Sequence, residues 1–140
     1  MDAPRLMINT FGGLEICLDG QPVTAFESRR EAALVAYLAL NPHAHDRLTL
    51  AEVLWPGRDS ALARGNLRRA LSNLGGALPG MLVSSGQQVS LRQEAGLWVD
   101  VHAFEAGLVA GQRGEFPALE AAVALYHGEF LQGFTIESNE

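Results

Sequence analysis

The sequence predicts an α+β fold, and three observations carry that expectation. Short alternating apolar segments open the chain, three helical segments follow, and a further pair of short segments encloses a polar turn. Segments 6–9 and 14–18 are rich in strand-forming residues, and Leu14, Ile16 and Leu18 fall on one face. Gly12-Gly13 breaks the run between them. Asp19-Gly20 is a tight-turn signal, and 22–24 suits a third, edge strand because Pro22 has no amide hydrogen for a central one.

Ser28 is placed to cap a helix that starts at Arg29 and runs to Leu40, where Asn41-Pro42 stops it. That segment is apolar nearly all round, so it belongs at the centre of the core. Asp46 is placed to cap a short second helix from Arg47 to about Trp55, with Leu50, Val53 and Leu54 on its buried face and Pro56-Gly57 at its end. Asp59 or Ser60 starts a third helix in which Leu67, Leu71, Leu74 and Leu78 recur at the spacing of one buried stripe. Its other side carries Arg64, Arg68, Arg69, Ser72 and Asn73, and Gly75-Gly76 weakens its last turn. Segment 81–91 reads as a hairpin turning at Gly86, and 99–109 and 117–127 read as two further helices. A boundary near Gly96 follows, between a sheet-and-helix domain at 1–96 and a helical appendage at 97–140. Three helices, the third basic on its outer face and followed by a hairpin, is the order of a winged helix-turn-helix.

A chain of 140 residues, 48% hydrophobic and 19% charged, is long enough for one full core with an appendage. Its longest near-apolar run, 32–40, is far below the roughly 20 residues a membrane span needs, and Met1 to Arg5 begin no secretory leader, so the expected location is cytoplasmic. The single cysteine, Cys17, allows no internal disulfide and suits a small core residue. The net charge of −6 opposes an anionic partner until its distribution is considered. Residues 1–80 hold eight arginines against eight acids, and residues 81–140 hold two against eight. Arg58, Arg64, Arg68 and Arg69 stand together with Asp59 as their one acidic neighbour, which marks 58–69 as a locally basic segment.

Catalysis and cofactors find no foothold. Gly12-Gly13 lacks the following lysine and hydroxyl residue of a phosphate loop, and His43, His45, His102 and His127 do not combine with Cys17 in any metal-ligand spacing. Asp100, His102 and Glu105 fall at a surface turn and helix start, where capping accounts for Asp100. Trp55 and Trp98 suit core anchors better than base-stacking platforms. No enzyme activity, metal or cofactor is expected.

Six stretches, in order, resemble a known class of bacterial regulators: FGGLEICLDG at 11–20, YLALNP at 37–42, LWP at 54–56, ARGNLRRALSNL at 63–74, VDVHAF at 99–104 and ALYHGEFLQGF at 124–134. The chain resembles the antibiotic-regulatory-protein (SARP-like) activators, in which an OmpR-type winged helix precedes a tetratricopeptide-like bacterial transcriptional activator domain. Members are larger, so the chain corresponds to a fragment or short member ending after about the first helical pair of the second domain. The resemblance implies double-stranded promoter DNA at direct repeats as one partner, with the third helix in the major groove and the hairpin wing near the minor groove. RNA polymerase is the other implied partner, met by the turn Pro56, Gly57, Arg58 and Asp59. Carried residue by residue, the DNA-facing positions are Arg64, Arg68, Arg69 and Asn73; Ser72 shares their side, and Arg47 is a candidate phosphate ligand at the start of the second helix. Two departures stand out: Gly75 and Gly76 replace basic residues common in the class, and Gln87 and Gln88 bring no charge to the wing. The competing expectation is a winged helix without DNA affinity that serves dimerisation or signal coupling. Phe104, Leu108, Leu125 and Phe130 in the appendage lead us to expect self-association through that half.

Overall fold

In the computed structural model, which describes residues 5–92 and 96–136, strands and helices follow one another in short runs. Their order is β1 (Leu6–Asn9), β2 (Glu15–Leu18), β3 (Gln21–Pro22), α1 (Arg29–Leu40), β4 (His45–Asp46), α2 (Arg47–Leu54) and α3 (Ser60–Ala77), followed by β5 (Leu82–Ser85), β6 (Gln88–Leu91), β7 (Leu97–Val99), α4 (Asp100–Gln112) and α5 (Phe116–Leu125). The fold is α+β. Two compact units divide the chain: the described residues of 1–22 and 97–135 form one, and those of 23–96 form most of the other.

In the first unit a four-stranded sheet runs in the order β3-β2-β1-β7. Strands β1 and β2 pair antiparallel with Ile8 opposite Ile16. Both residues of the turn at Asp19 and Gly20 have positive φ, 51° and 83°, as a two-residue hairpin loop requires. The third strand is therefore closed early, at Gln21–Pro22 and not at 22–24. Strand β7 was not apparent in the sequence; it pairs parallel with β1, Ile8 opposite Val99, and returns the chain to the sheet at the point where a domain boundary was expected. Cys17, placed in the core by its alternation, is only half-buried, with its sulfur 3.8 Å from Glu15 Oε1.

Asp100 ties this unit together, and it is not the surface cap its sequence position suggests. Only 1% exposed, it accepts hydrogen bonds at Oδ2 from the Thr10 and Phe11 amides, at 2.8 and 2.9 Å. At Oδ1 it accepts from the Thr10 hydroxyl at 2.7 Å and the Val101 amide at 2.8 Å. A buried carboxylate is tolerable only when its lone pairs are met in this way. Beside it Phe11 packs edge-on to Phe104 and Tyr126, with ring centroids 5.4 and 5.3 Å apart. Helices α4 and α5 approach most closely at Gly107, where an added Cβ would stand 2.2 Å from that of Ala122.

The second unit is a winged helix-turn-helix. Leu34, Val35, Leu38 and Ala39 of α1, Leu50, Ala51 and Leu54 of α2, and Ala63, Leu67, Ala70 and Leu74 of α3 are buried. Val53, expected inside, is 47% exposed. At 100° per residue Leu50, Leu54 and Ala51 share one flank, and Val53 falls outside it. Arg30 is buried and donates from Nη1 to the Leu54 carbonyl at the end of α2, where a cation meets the negative pole of the helix. Asp59 caps α3 by accepting from the Leu62 amide at 3.4 Å, whereas neither Ser28 nor Asp46 makes a side-chain cap bond. The hairpin β5–β6 turns through Gly86, φ 61°, and β4 joins its other edge to give the order β4-β6-β5. Among the described residues no helix is long and apolar enough to cross a membrane.

Glycine substitutions should act with opposite sign in the two units. Gly76→Ala places a methyl in open space within α3 and should raise stability by about 1 kcal/mol, whereas Gly107→Ala forces α4 from α5 and should cost about 1–3 kcal/mol. Chemical denaturation of both variants checks this. By the same measurement Asp100→Ala should cost about 3 kcal/mol or more, since the Thr10 and Phe11 amides lose a charged acceptor.

Candidate functional site

The exposed side of α3 follows from its spacing. With Ala63, Leu67, Ala70 and Leu74 turned inward, Arg64, Arg68, Arg69 and Ser72 are left exposed on the other side. Among the described residues no acid pairs with Arg68 or Arg69. Arg64 reaches back with Nε to the Ser60 carbonyl at 3.4 Å, a contact at the edge of hydrogen-bond range that leaves its terminal amines available.

Two of these arginines face the wing. A groove of about 640 Å³ is lined by Asp46, Arg47, Arg64, Arg68 and the hairpin tip at Gly86 and Gln87, so three arginines border it with one aspartate. Leu48, 45% exposed, adds an apolar edge that sequence reasoning did not single out. The short strand β4 makes this arrangement: Asp46 lies opposite Gln88, and the Arg47 amide donates to the Gln87 carbonyl at 2.8 Å. A two-residue strand has no periodicity to detect. On its other flank α3 borders a second groove, where Arg68, Arg69, Ser72 and Asn73 meet Glu27.

Two expected contact residues are already engaged within the unit. Arg47 donates from Nη2 to the Ser84 hydroxyl at 2.7 Å, which joins the start of α2 to the wing. Asn73 donates from Nδ2 to the Ala25 carbonyl at 3.1 Å and to Glu31 Oε1 at 2.5 Å. Glu31 is 4% exposed and also accepts from the Glu27 amide at 3.1 Å. The turn at Pro56, Gly57 and Arg58 borders a small cavity of about 130 Å³, together with Leu48, Glu52, Trp55 and Ser60. Gly57 has φ 76°, so this sharp turn depends on glycine. Asp59 follows as the α3 cap.

His43 and His45 stack with ring centroids 4.0 Å apart, and each has a ring nitrogen against a backbone carbonyl, Ala44 at 3.0 Å and Asn41 at 2.8 Å. Trp55 is buried, as a core anchor should be. Charge follows the two units more sharply than it follows the two halves of the sequence. Residues 23–96 hold eight arginines against six acids, while residues 1–22 and 97–135 together hold two against eight.

No protein-family model matches the chain, and no curated protein matches it. Its fold is similar to that of Mycobacterium tuberculosis EmbR, solved in complex with a low affinity phosphopeptide, with a TM-score of 0.69 and 24% sequence identity. The match covers 93% of this chain and 38% of the EmbR chain, so this chain spans well under half the length of that protein.

Proposed function

We propose that this chain reads double-stranded promoter DNA as the DNA-binding part of a bacterial transcription activator. The observation that carries the reading is the groove in which Arg47, Arg64 and Arg68 meet the wing tip. In this reading α3 enters the major groove, the β5–β6 wing lies near the minor groove, and Arg64, Arg68, Arg69 and Ser72 supply phosphate and base contacts. The positive balance of residues 23–96 supports it, since the chain's net charge of −6 arises outside that segment. So do the ordered resemblance to SARP-like activators and the likeness of fold to EmbR. The turn Pro56, Gly57, Arg58 and Asp59 is the proposed contact with RNA polymerase, and no catalytic step is proposed. We assign the DNA-binding role to 1–96 and the start of a tetratricopeptide-like activator domain to 97–140 in a cytoplasmic regulator, although β1–β3 of the first share a compact unit with β7, α4 and α5 of the second. Of the four apolar residues expected to drive pairing, Leu108 and Phe130 are exposed while Phe104 and Leu125 are half-buried, and exposed Phe116, Val123 and Tyr126 add to the apolar surface that favours pairing of two copies.

The rival is a winged helix without DNA affinity that couples protein partners, and the uncharged wing tip favours it. Salt separates the two, because releasing counterions makes DNA affinity fall steeply with ionic strength while an apolar contact does not. Selection from pooled random duplexes at two salt concentrations should enrich a repeated motif. The logarithm of affinity should then fall with log salt at a slope of about −1 for each phosphate contact, and changing Arg68 and Arg69 to Ala should weaken binding and make that slope shallower. No retention at low salt sinks the DNA reading in favour of the rival. Sedimentation at high protein concentration should show a dimer, and a strict monomer would refute pairing through the helical half.

A further inference from the structure

Asn73 shares a groove with Arg68, Arg69 and Ser72, and an asparagine on a recognition helix can read adenine. That reading takes two bonds at once: one amide hydrogen goes to adenine N7, and the amide oxygen accepts from N6. An asparagine nitrogen carries two hydrogens. In this protein the nitrogen is directed at two acceptors, the Ala25 carbonyl at 3.1 Å and Glu31 Oε1 at 2.5 Å. Neither neighbour can donate, so the amide cannot be turned over without losing both bonds. Glu31 is itself held, 4% exposed and bonded to the Glu27 amide. No amide hydrogen of Asn73 remains for a base.

Arg68 is the opposite case. It is exposed, has no acidic partner among the described residues, and borders the grooves on both flanks of α3. Arg64 stands one turn earlier in the groove shared with the wing. A guanidinium group matches the O6 and N7 acceptors of guanine as a fork.

We infer that α3 reads guanine through Arg68 and Arg64, and that Asn73 is a positioning residue that locks α3 to α1 through Glu31. This rests on the DNA-binding reading proposed above. The lock fixes where α3 lies against the amino-terminal turn of α1, and therefore where its arginines point. Base identity is left to the two guanidinium groups, and the preferred target is a duplex with guanine in each half-site.

The test replaces single ring atoms in the DNA. A duplex retained by the full chain is remade with 7-deazaguanine for guanine or 7-deazaadenine for adenine, each of which removes the N7 acceptor. Affinity should fall about tenfold with the first and stay level with the second. Arg68→Ala should bind more weakly and lose part of its sensitivity to 7-deazaguanine, and changing Arg64 to Ala as well should remove most of the rest. Glu31→Ala should weaken binding without changing which bases are preferred, and Glu31→Gln, which keeps the acceptor oxygen, should restore it. A loss with 7-deazaadenine that Asn73→Ala abolishes would overturn the inference and leave the DNA reading intact. Indifference to both analogues would do the same, by showing contacts to the backbone alone. Failure to retain any duplex at low salt would overturn both.

Discussion

Thr10 and Asp100 are 90 positions apart in the chain, and the bonds between them hold the first unit closed. The Asp100 carboxylate gathers the end of β1 and the start of α4 just where β7 has paired with β1. In connectivity, the winged helix is therefore a long excursion between two strands of one sheet. An excursion of that length closes at an entropic cost that grows only slowly with its size, so a few strong bonds at its base can hold it. The aromatic cluster of Phe11, Phe104 and Tyr126 adds apolar weight at the same place.

The same connectivity sorts the charge. Acidic residues gather in the segments that build the sheet and helical pair, and arginines gather in the excursion between them. A net charge of −6 for the whole chain thus describes neither unit. Any attraction of an anionic partner arises from 23–96, where the arginine excess is modest and three of the arginines stand on α3. Modest charge suits a reader that needs a few well-placed contacts more than one that relies on a broad positive field.

Much of this fold was legible because its longer elements carry strong local signals. Helix α1 ends where Asn41-Pro42 forbids continuation, α3 follows its leucine stripe, and the Asp19-Gly20 turn has the backbone that pair favours. What escaped was short or long-range. Strands β4 and β7 have two and three residues, too few for any period, yet one joins the wing to α2 and the other completes the sheet. Arg64, Arg68 and Arg69 could be found from helical spacing because exposure is a local property of a helix. The engagement of Asn73 could not, because its partners lie 42 and 48 positions away. The role of Asp100 was hidden for the same reason, since a carboxylate at a helix start looks like a cap until its distant donors are known.

The wing is tied down at its tip. The Gln87 carbonyl takes the Arg47 amide, β4 pairs with β6, and Arg47 reaches across to Ser84. A hairpin held in this way has little freedom left to surrender when a ligand arrives. Binding against its tip spends less on ordering than a loose arm would, and the cradle between wing and helix keeps its width whether or not it is filled. The cost falls on adaptability: a ligand of a different breadth would have to break the β4–β6 pairing and the Arg47 bonds to Gln87 and Ser84 before the wing could move to meet it.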